Sequence, residues 1–284
     1  MFYRIIISAL VILSSCTAAK VSVPAQFKGA ATSMKVKGVN GWKINQKLSF
    51  GTYQTSPIKR GWDFASSYQF TKFNVKPEEL LLKVFDIDTD KKNSRHRSRL
   101  QYTLEDGQLV NEIYATEQFE EKQLVYKSNH PLLGDVSKTK NYKYAFTAAI
   151  VPLNGPQKDP WSLVLVNRYD SEKDTARRLF DRPFVEEEGY VTNGVEKIDI
   201  RPLRLDKLTT KSGKQTKVFG GPLLSGYELV WDGGVVAIVD ILDNTVWMYN
   251  DLEVSEKLLL SSVSSALLLR KLQDVEKDRD DLGF

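Results

Sequence analysis

The sequence predicts a mainly β fold: an antiparallel sandwich or open barrel with one long C-terminal helix packed on the last β-meander. Three observations carry that expectation. Apolar residues recur at every second position in short runs, and glycine-bearing turn pairs separate those runs. A single long stretch near the C-terminus lacks both Gly and Pro and is apolar at helical spacing.

Residues 1–15 place Arg4 ahead of an apolar stretch from Ile5 to Leu13, the layout of a signal peptide. That stretch is well short of the roughly 20 residues a helix needs to cross the hydrocarbon core. Leu13-Ser14-Ser15-Cys16 follows, an aliphatic residue and two small ones before the single cysteine of the chain. This run resembles the lipobox of bacterial lipoproteins. The resemblance covers residues 1–16 and implies cleavage before Cys16, with a thioether-linked diacylglycerol on its sulfur and, in many bacteria, an N-acyl chain. More than one buried acyl chain is enough for stable anchoring, since each buried methylene contributes about 0.8 kcal/mol. The implied address is the cell envelope, lipid-anchored to a bacterial membrane on its periplasmic face or at the cell surface. Removing residues 1–15 leaves 269 residues with 39 basic and 36 acidic side chains.

Residues 16–31 are rich in Ala, Ser, Thr and Lys and have no apolar period, so they read as a tether. Residues 32–284 read as a single β-rich domain. Met34 and Val36 open the alternation; Trp62, Phe64, Tyr68 and Phe70 continue it; Leu100, Tyr102 and Leu104 form another run. Asp106-Gly107 then supplies the backbone freedom of a tight hairpin. Residues 140–152 and 161–167 read as strands around a loop holding Gly155 and Pro156. Residues 168–188 are dense in charge, with a short helix expected over 171–180.

A C-terminal meander is expected from 227 to 249, with turns at Asp232-Gly233 and Asp243-Asn244. Its middle run, 235–242, is almost continuously apolar, as in a strand covered on both faces. The cover is expected from a helix over 252–272, with Leu259, Val263, Ala266 and Leu267 at helical spacing and an apolar arc wider than one face. Residues 273–284 read as a charged, frayed tail.

Composition excludes several classes. Of the residues, 42% are hydrophobic and 27% charged, a balance foreign to disordered, collagen-like or multi-spanning chains. One cysteine builds neither an intramolecular disulfide nor a Cys-based zinc site. The net charge of +4 is spread along the chain, so no nucleic-acid partner is expected.

Chemical motifs fail in turn. Ser212-Gly213-Lys214-Gln215-Thr216 lacks the upstream glycine of a phosphate loop and has Gln215 where Ser or Thr must reach magnesium. Asp86, Asp88 and Asp90 have calcium-loop spacing, yet Lys91 and Arg97 replace the turn glycine and the bidentate glutamate. His96 and His130 are the only histidines, and no Gly-x-Ser-x-Gly elbow accompanies them. No catalytic residue, metal site or cofactor is therefore assigned.

Two candidate surfaces remain. The aromatic and basic stretch from 42 to 73 either stacks on sugars or bases or simply fills a β core; within it Tyr53, Lys59 and Arg60, beside Pro57 and Gly61, fit a ligand-binding loop. Lys91, Lys92, Arg95, Arg97 and Arg99 either touch anionic lipid head groups or glycan or form a solvated hairpin end. The functional expectation is a membrane-anchored envelope lipoprotein acting as a non-catalytic binding or structural module with an unknown protein partner. A secreted hydrolase of envelope glycan or esters, and a carrier holding a lipid or other apolar ligand in a β cavity, are the alternatives.

Overall fold

A computed structural model describes residues 21, 23–39, 45–61, 94–126, 136–156, 158–170, 185–209, 215–218 and 220–270. The short helix α1 (Ala25–Ala30) leads into β1 (Ala31–Lys35), followed by β2 (Ser49–Phe50), β3 (Tyr53–Thr55) and β4 (Lys59–Arg60). Four long strands come next: β5 (Ser94–Glu105), β6 (Val110–Tyr126), β7 (Val136–Pro152) and β8 (Trp161–Asp170). Then come β9 (Glu186–Thr192), β10 (Lys197–Leu205), β11 (Lys207–Thr209) and β12 (Gln215–Lys217). The chain finishes with β13 (Leu223–Trp231), β14 (Gly234–Asp240), β15 (Thr245–Tyr249) and α2 (Val254–Leu269).

The expected antiparallel β class is met in its barrel form. One sheet runs β1-β15-β14-β13-β10-β9-β8-β7-β6-β5-β3-β2, with β4 also paired to β5, while β11 and β12 form a separate ribbon. The path returns on itself where Lys37, just past β1, bridges to Ser49 of β2, so the barrel is nearly closed. Closure removes the exposed edges that an open sheet of this length would present.

The turns match their chemistry. Asp106 accepts the backbone N–H of Gln108 and Leu109 on its carboxylate, and Gly107 takes a positive φ of 98° between β5 and β6. Asp232 and Gly233 turn β13 into β14 at φ 50° and 79°. Asp240 caps the β14–β15 turn by accepting from Leu242 and Asp243.

Antiparallel alternation defines two rims. The upper rim holds the β5–β6, β7–β8, β9–β10 and β13–β14 turns and the link from β15 to α2; the lower rim holds the β10–β13 and β14–β15 connections. Inward positions include Leu100, Ile113, Phe146, Leu163, Leu165, Val191, Ile198 and Leu229, all buried, with Asn111, Glu117, Asn167 and Glu187 as buried polar exceptions. On β14 both faces are covered as expected: Ala237 and Val239 belong to the main core, whereas Ile238 packs outward against Val21 and Val23.

The fold starts earlier than residue 32. Val21 and Val23 are buried, the Val21 amide donates to the Asp240 carboxylate at 2.9 Å, and α1 lies along β1 and β15. The stretch expected as a tether is thus docked on the barrel from Val21 onward. The expected helix over 171–180, the aromatic run 62–73 and the tail 273–284 lie outside the described residues.

Candidate functional site

A barrel of about eight strands is just wide enough for its own side chains to fill, and wider ones leave a lumen. Here α2 occupies that lumen. It starts at the upper rim with a reciprocal capping box: the Glu253 side chain takes the N3 amide, and Glu256 takes the Glu253 amide at 2.8 Å. Every residue from Leu258 to Leu269 is buried, and the helix touches β5, β6 and β7 on one wall and β14 on the other. An all-round apolar helix is what such a position demands, whereas a surface helix needs a polar face.

Four serines, Ser261, Ser262, Ser264 and Ser265, are buried along the helix. Ser262 donates to Leu258 O at 2.8 Å and accepts from Asn111 Nδ2 at 3.1 Å. Ser265 donates to Ser262 O at 2.8 Å, so the Tyr102 hydroxyl is the donor in their 2.8 Å contact. Ser264 bonds back to Leu260 O at 2.7 Å, which satisfies its hydroxyl within the helix. Burial pushes the Tyr102 phenol well above its ordinary value despite the Ser265 hydroxyl and the Arg60 charge.

At the lower end of α2, Arg270 reaches a polar belt inside the barrel. Its guanidinium is 2.7 Å from Glu187 Oε1, and both side chains are 1% exposed. Arg270 also donates to the Tyr227 hydroxyl, which donates to Glu187 Oε1 at 2.7 Å. The guanidinium lies 5.0 Å from the Tyr227 ring centre and 5.8 Å from that of Tyr144. Tyr144 in turn donates to Glu117 Oε1 at 3.3 Å.

Burial opposes the charge on Arg270, but Tyr227, Glu187 and Tyr144 overcome it and hold the guanidinium above its ordinary range. Burial likewise drives the Tyr144 and Tyr227 phenols well up, reinforced by Glu117 and Glu187 respectively. Cation and carboxylate therefore compensate each other in a site without water access. Each of these buried charges depends on its partner, and removing one leaves the other uncompensated.

The sequence-selected loop residues are not brought together. Tyr53 lies in β3, buried and tilted on Phe50 with ring centres 5.4 Å apart. Burial raises its phenol, opposed by the Ser261 hydroxyl of α2 and reinforced by Asp106. Lys59 is exposed on β4 opposite Gln101 of β5. Arg60, half-buried, donates to Gln46 Oε1 at 2.8 Å, and Gln46 Nε2 donates to Gly38 O at 2.8 Å. These bonds staple the seam where the barrel closes. Tyr53 thus belongs to the core, Lys59 to solvent and Arg60 to the seam, and the segment is two short strands rather than a loop.

Of the basic cluster, Arg95, Arg97 and Arg99 fall in β5, opposite Glu120, Gln118 and Thr116 of β6. Their backbone is paired strand at the open end of the β5–β6 hairpin, whose register runs unbroken from Ser94. Cys16, Lys91, Lys92, His130 and the Asp86, Asp88 and Asp90 triplet lie outside the described residues. Among the described residues, no group of three His, Cys, Asp or Glu side chains is arranged to hold a metal ion, and no helix is long and apolar enough to cross a membrane.

Sequence reasoning missed Arg270 and its partners. The signal available was one arginine closing an apolar, serine-bearing helix; its partners at 117, 144, 187 and 227 are scattered over four strands. Comparison of the chain with protein-family models, with curated proteins and with solved structures finds no match.

Proposed function

We propose that this protein is a non-catalytic envelope module, held at a bacterial membrane through Cys16, that uses its barrel as a rigid scaffold presenting its outer surface and rims to a partner. The observation that carries the reading is the occupied interior. Ligand sites of β-barrels lie in the lumen and its mouth. In this chain that space holds α2, fixed by the Arg270–Glu187 pair and by the Tyr102 and Asn111 contacts to its serines.

The anchor rests on the lipobox-like run ending at Cys16. Expression of the wild-type and Cys16→Ser chains with labelled palmitate tests it. The reading expects label and membrane association in the wild type and loss of both in the variant; an unchanged variant overturns the anchor.

The carrier alternative has one observation in its favour: Trp161 Nε1 and Asn167 Oδ1, on buried interior side chains of β8, have no hydrogen-bond partner among the described residues. A polar-headed ligand inside the barrel would bond to them. Organic extraction and mass spectrometry of the purified protein separate the readings. No stoichiometric apolar molecule is expected; one bound per chain, released when α2 is displaced, overturns the scaffold reading.

A further inference from the structure

We propose that the outward face of β7 and β8 is a docking site taken by the chain's own aromatic stretch, residues 62–73, packed across the outside of the barrel. The proposal goes beyond the scaffold reading and stands on the fold alone, so it holds or fails independently of the anchor.

The first observation is a face unsuited to the outside of a barrel. Tyr144, Phe146, Ala148 and Ile150 of β7 and Leu163 and Leu165 of β8 join the main core, so the residues between them point away from it. Those residues are Ala145, Thr147, Ala149 and Val151 on β7 and Val164 and Val166 on β8. Ala145 stands opposite Val166 and Thr147 opposite Val164, which makes them one patch. An outer face turned to water would alternate in polar residues, and here only Thr147 is polar.

The second observation is that the patch is covered from one side. All six residues are at most 8% exposed. Ala145, Ala149, Val151, Val164 and Val166 belong to neither hydrophobic cluster, and α2 meets β7 from inside. Burial continues onto β6, where Gln118, opposite Ala145, is buried too. It stops toward β9, where Glu188, opposite Val166, is exposed, as are Arg168 and Glu186 at the next rung. The cover therefore reaches the patch from the side of β5 and β6.

The third observation is which segment starts there. Gly61 donates its amide to Arg99 O of β5, and the chain returns at Ser94, the first residue of the same strand. Arg99 stands opposite Thr116, Thr116 opposite Thr147, and Thr147 opposite Val164, so residue 62 departs on the row that crosses the middle of the patch. Two strand spacings, about 10 Å, separate Arg99 from Thr147. Residues 171–184, by contrast, leave from β8 and return to β9, where the outer face is exposed.

Composition agrees. Trp62, Phe64, Tyr68 and Phe70 share alternate positions, with Asp63, Ser67, Gln69 and Thr71 between them, one apolar side and one polar. Seven of the 14 residues from 171 to 184 are charged, and eight of the 14 from 271 to 284. Small side chains along β7, between larger ones on β6 and β8, leave a shallow trough that flat rings fill. The stretch that could have stacked on sugars is thereby committed to the fold.

The test uses single-thiol reporters in the full chain carrying Cys16→Ser: Val164→Cys within the patch, and Val195→Cys, 94% exposed on the β9–β10 turn, as the open reference. Maleimide labelling is expected to be about 100-fold slower at Val164→Cys than at Val195→Cys. Changing Trp62, Phe64, Tyr68 and Phe70 together to Ser is expected to speed labelling at Val164→Cys about tenfold or more, with Val195→Cys and the circular dichroism unchanged. Ending the chain after Arg270, or changing Leu179 and Phe180 to Ser, is expected to leave the protection intact. Disulfide pairing keeps the proposal falsifiable should the fourfold variant not fold: Val164→Cys combined with Phe64→Cys, Tyr68→Cys or Phe70→Cys is expected to cross-link within one chain for at least one pair, and Val164→Cys with Leu179→Cys is not. Equal labelling at the two reporters, protection that survives the fourfold change in a folded chain, protection lost on dilution as between two copies, or cross-linking confined to Leu179→Cys overturns the proposal.

Discussion

Replacing Arg270 with Met tests the fixation of α2 at its most consequential contact. Met preserves much of the apolar stem and removes the charge, leaving Glu187 at 1% exposure without its cation. Breaking a buried pair by deleting one partner costs about 3–5 kcal/mol. Glu187 keeps the Tyr227 hydroxyl as a donor at 2.7 Å, which places the expected loss at the low end. For a domain of this size about 3 kcal/mol corresponds to a Tm lowered by about 6–12 °C.

Glu187→Gln strands the cation instead and is expected to cost a similar amount. The double variant removes both charges, so its loss should fall short of the summed singles by about 2 kcal/mol or more. Urea unfolding followed by circular dichroism and tryptophan fluorescence gives the three free energies, with coincident transitions as the check on two-state behaviour. Singles that add to within about 0.5 kcal/mol, or an Arg270→Met loss below about 1 kcal/mol, would refute the argument that this pair is buried and mutually dependent.

Ser265→Ala leaves the buried Tyr102 hydroxyl without its acceptor and is expected to cost about 1–3 kcal/mol, whereas Ser264→Ala removes only a bond within the helix and should be close to neutral; paired urea titrations compare them. Gly226→Ala would place a Cβ 2.1 Å from Val239 O and 3.1 Å from Val21 Cγ2, so a loss of about 2–3 kcal/mol is expected, accompanied by faster proteolysis of the N-terminal segment. Alkaline pH should unfold the protein cooperatively. Tyr102, Tyr144 and Tyr227 have raised folded values, so the native state keeps protons that the unfolded state loses. Their contribution is therefore intact below about pH 10 and falls above it by about 1.4 kcal/mol per pH unit for each tyrosine. Tyrosinate absorbance assignable to these three phenols, by difference from their Phe variants, that rises while the circular dichroism is still native would contradict this.

The barrel wall was legible because its physics is local. Leu100, Tyr102 and Leu104 alternate with polar residues in sequence and point inward in the structure, and Asp106-Gly107 and Asp232-Gly233 turn where their backbone preferences require. The helix was legible too, including its wide apolar arc. Its place inside the barrel was not, since an apolar helix lying on a meander and one enclosed by a wall have the same periodicity. What distinguishes them is Arg270 meeting Glu187, 83 positions upstream, a contact that only closure of the sheet creates. Tyr53, Lys59 and Arg60 misled for a related reason: Pro57 and Gly61 suggest a loop, but pairing of β4 with β5 turns the segment into wall.

Native-state hydrogen exchange of α2 tests the occupied interior most directly. If the helix is an integral filling of the barrel, the amides from Leu258 to Leu269 exchange only through global unfolding, with the same free energy as the central amides of β6, β7 and β8. Exchange of the helix through a separate, cheaper opening while those strands stay protected would contradict the account and mark α2 as a door rather than a core.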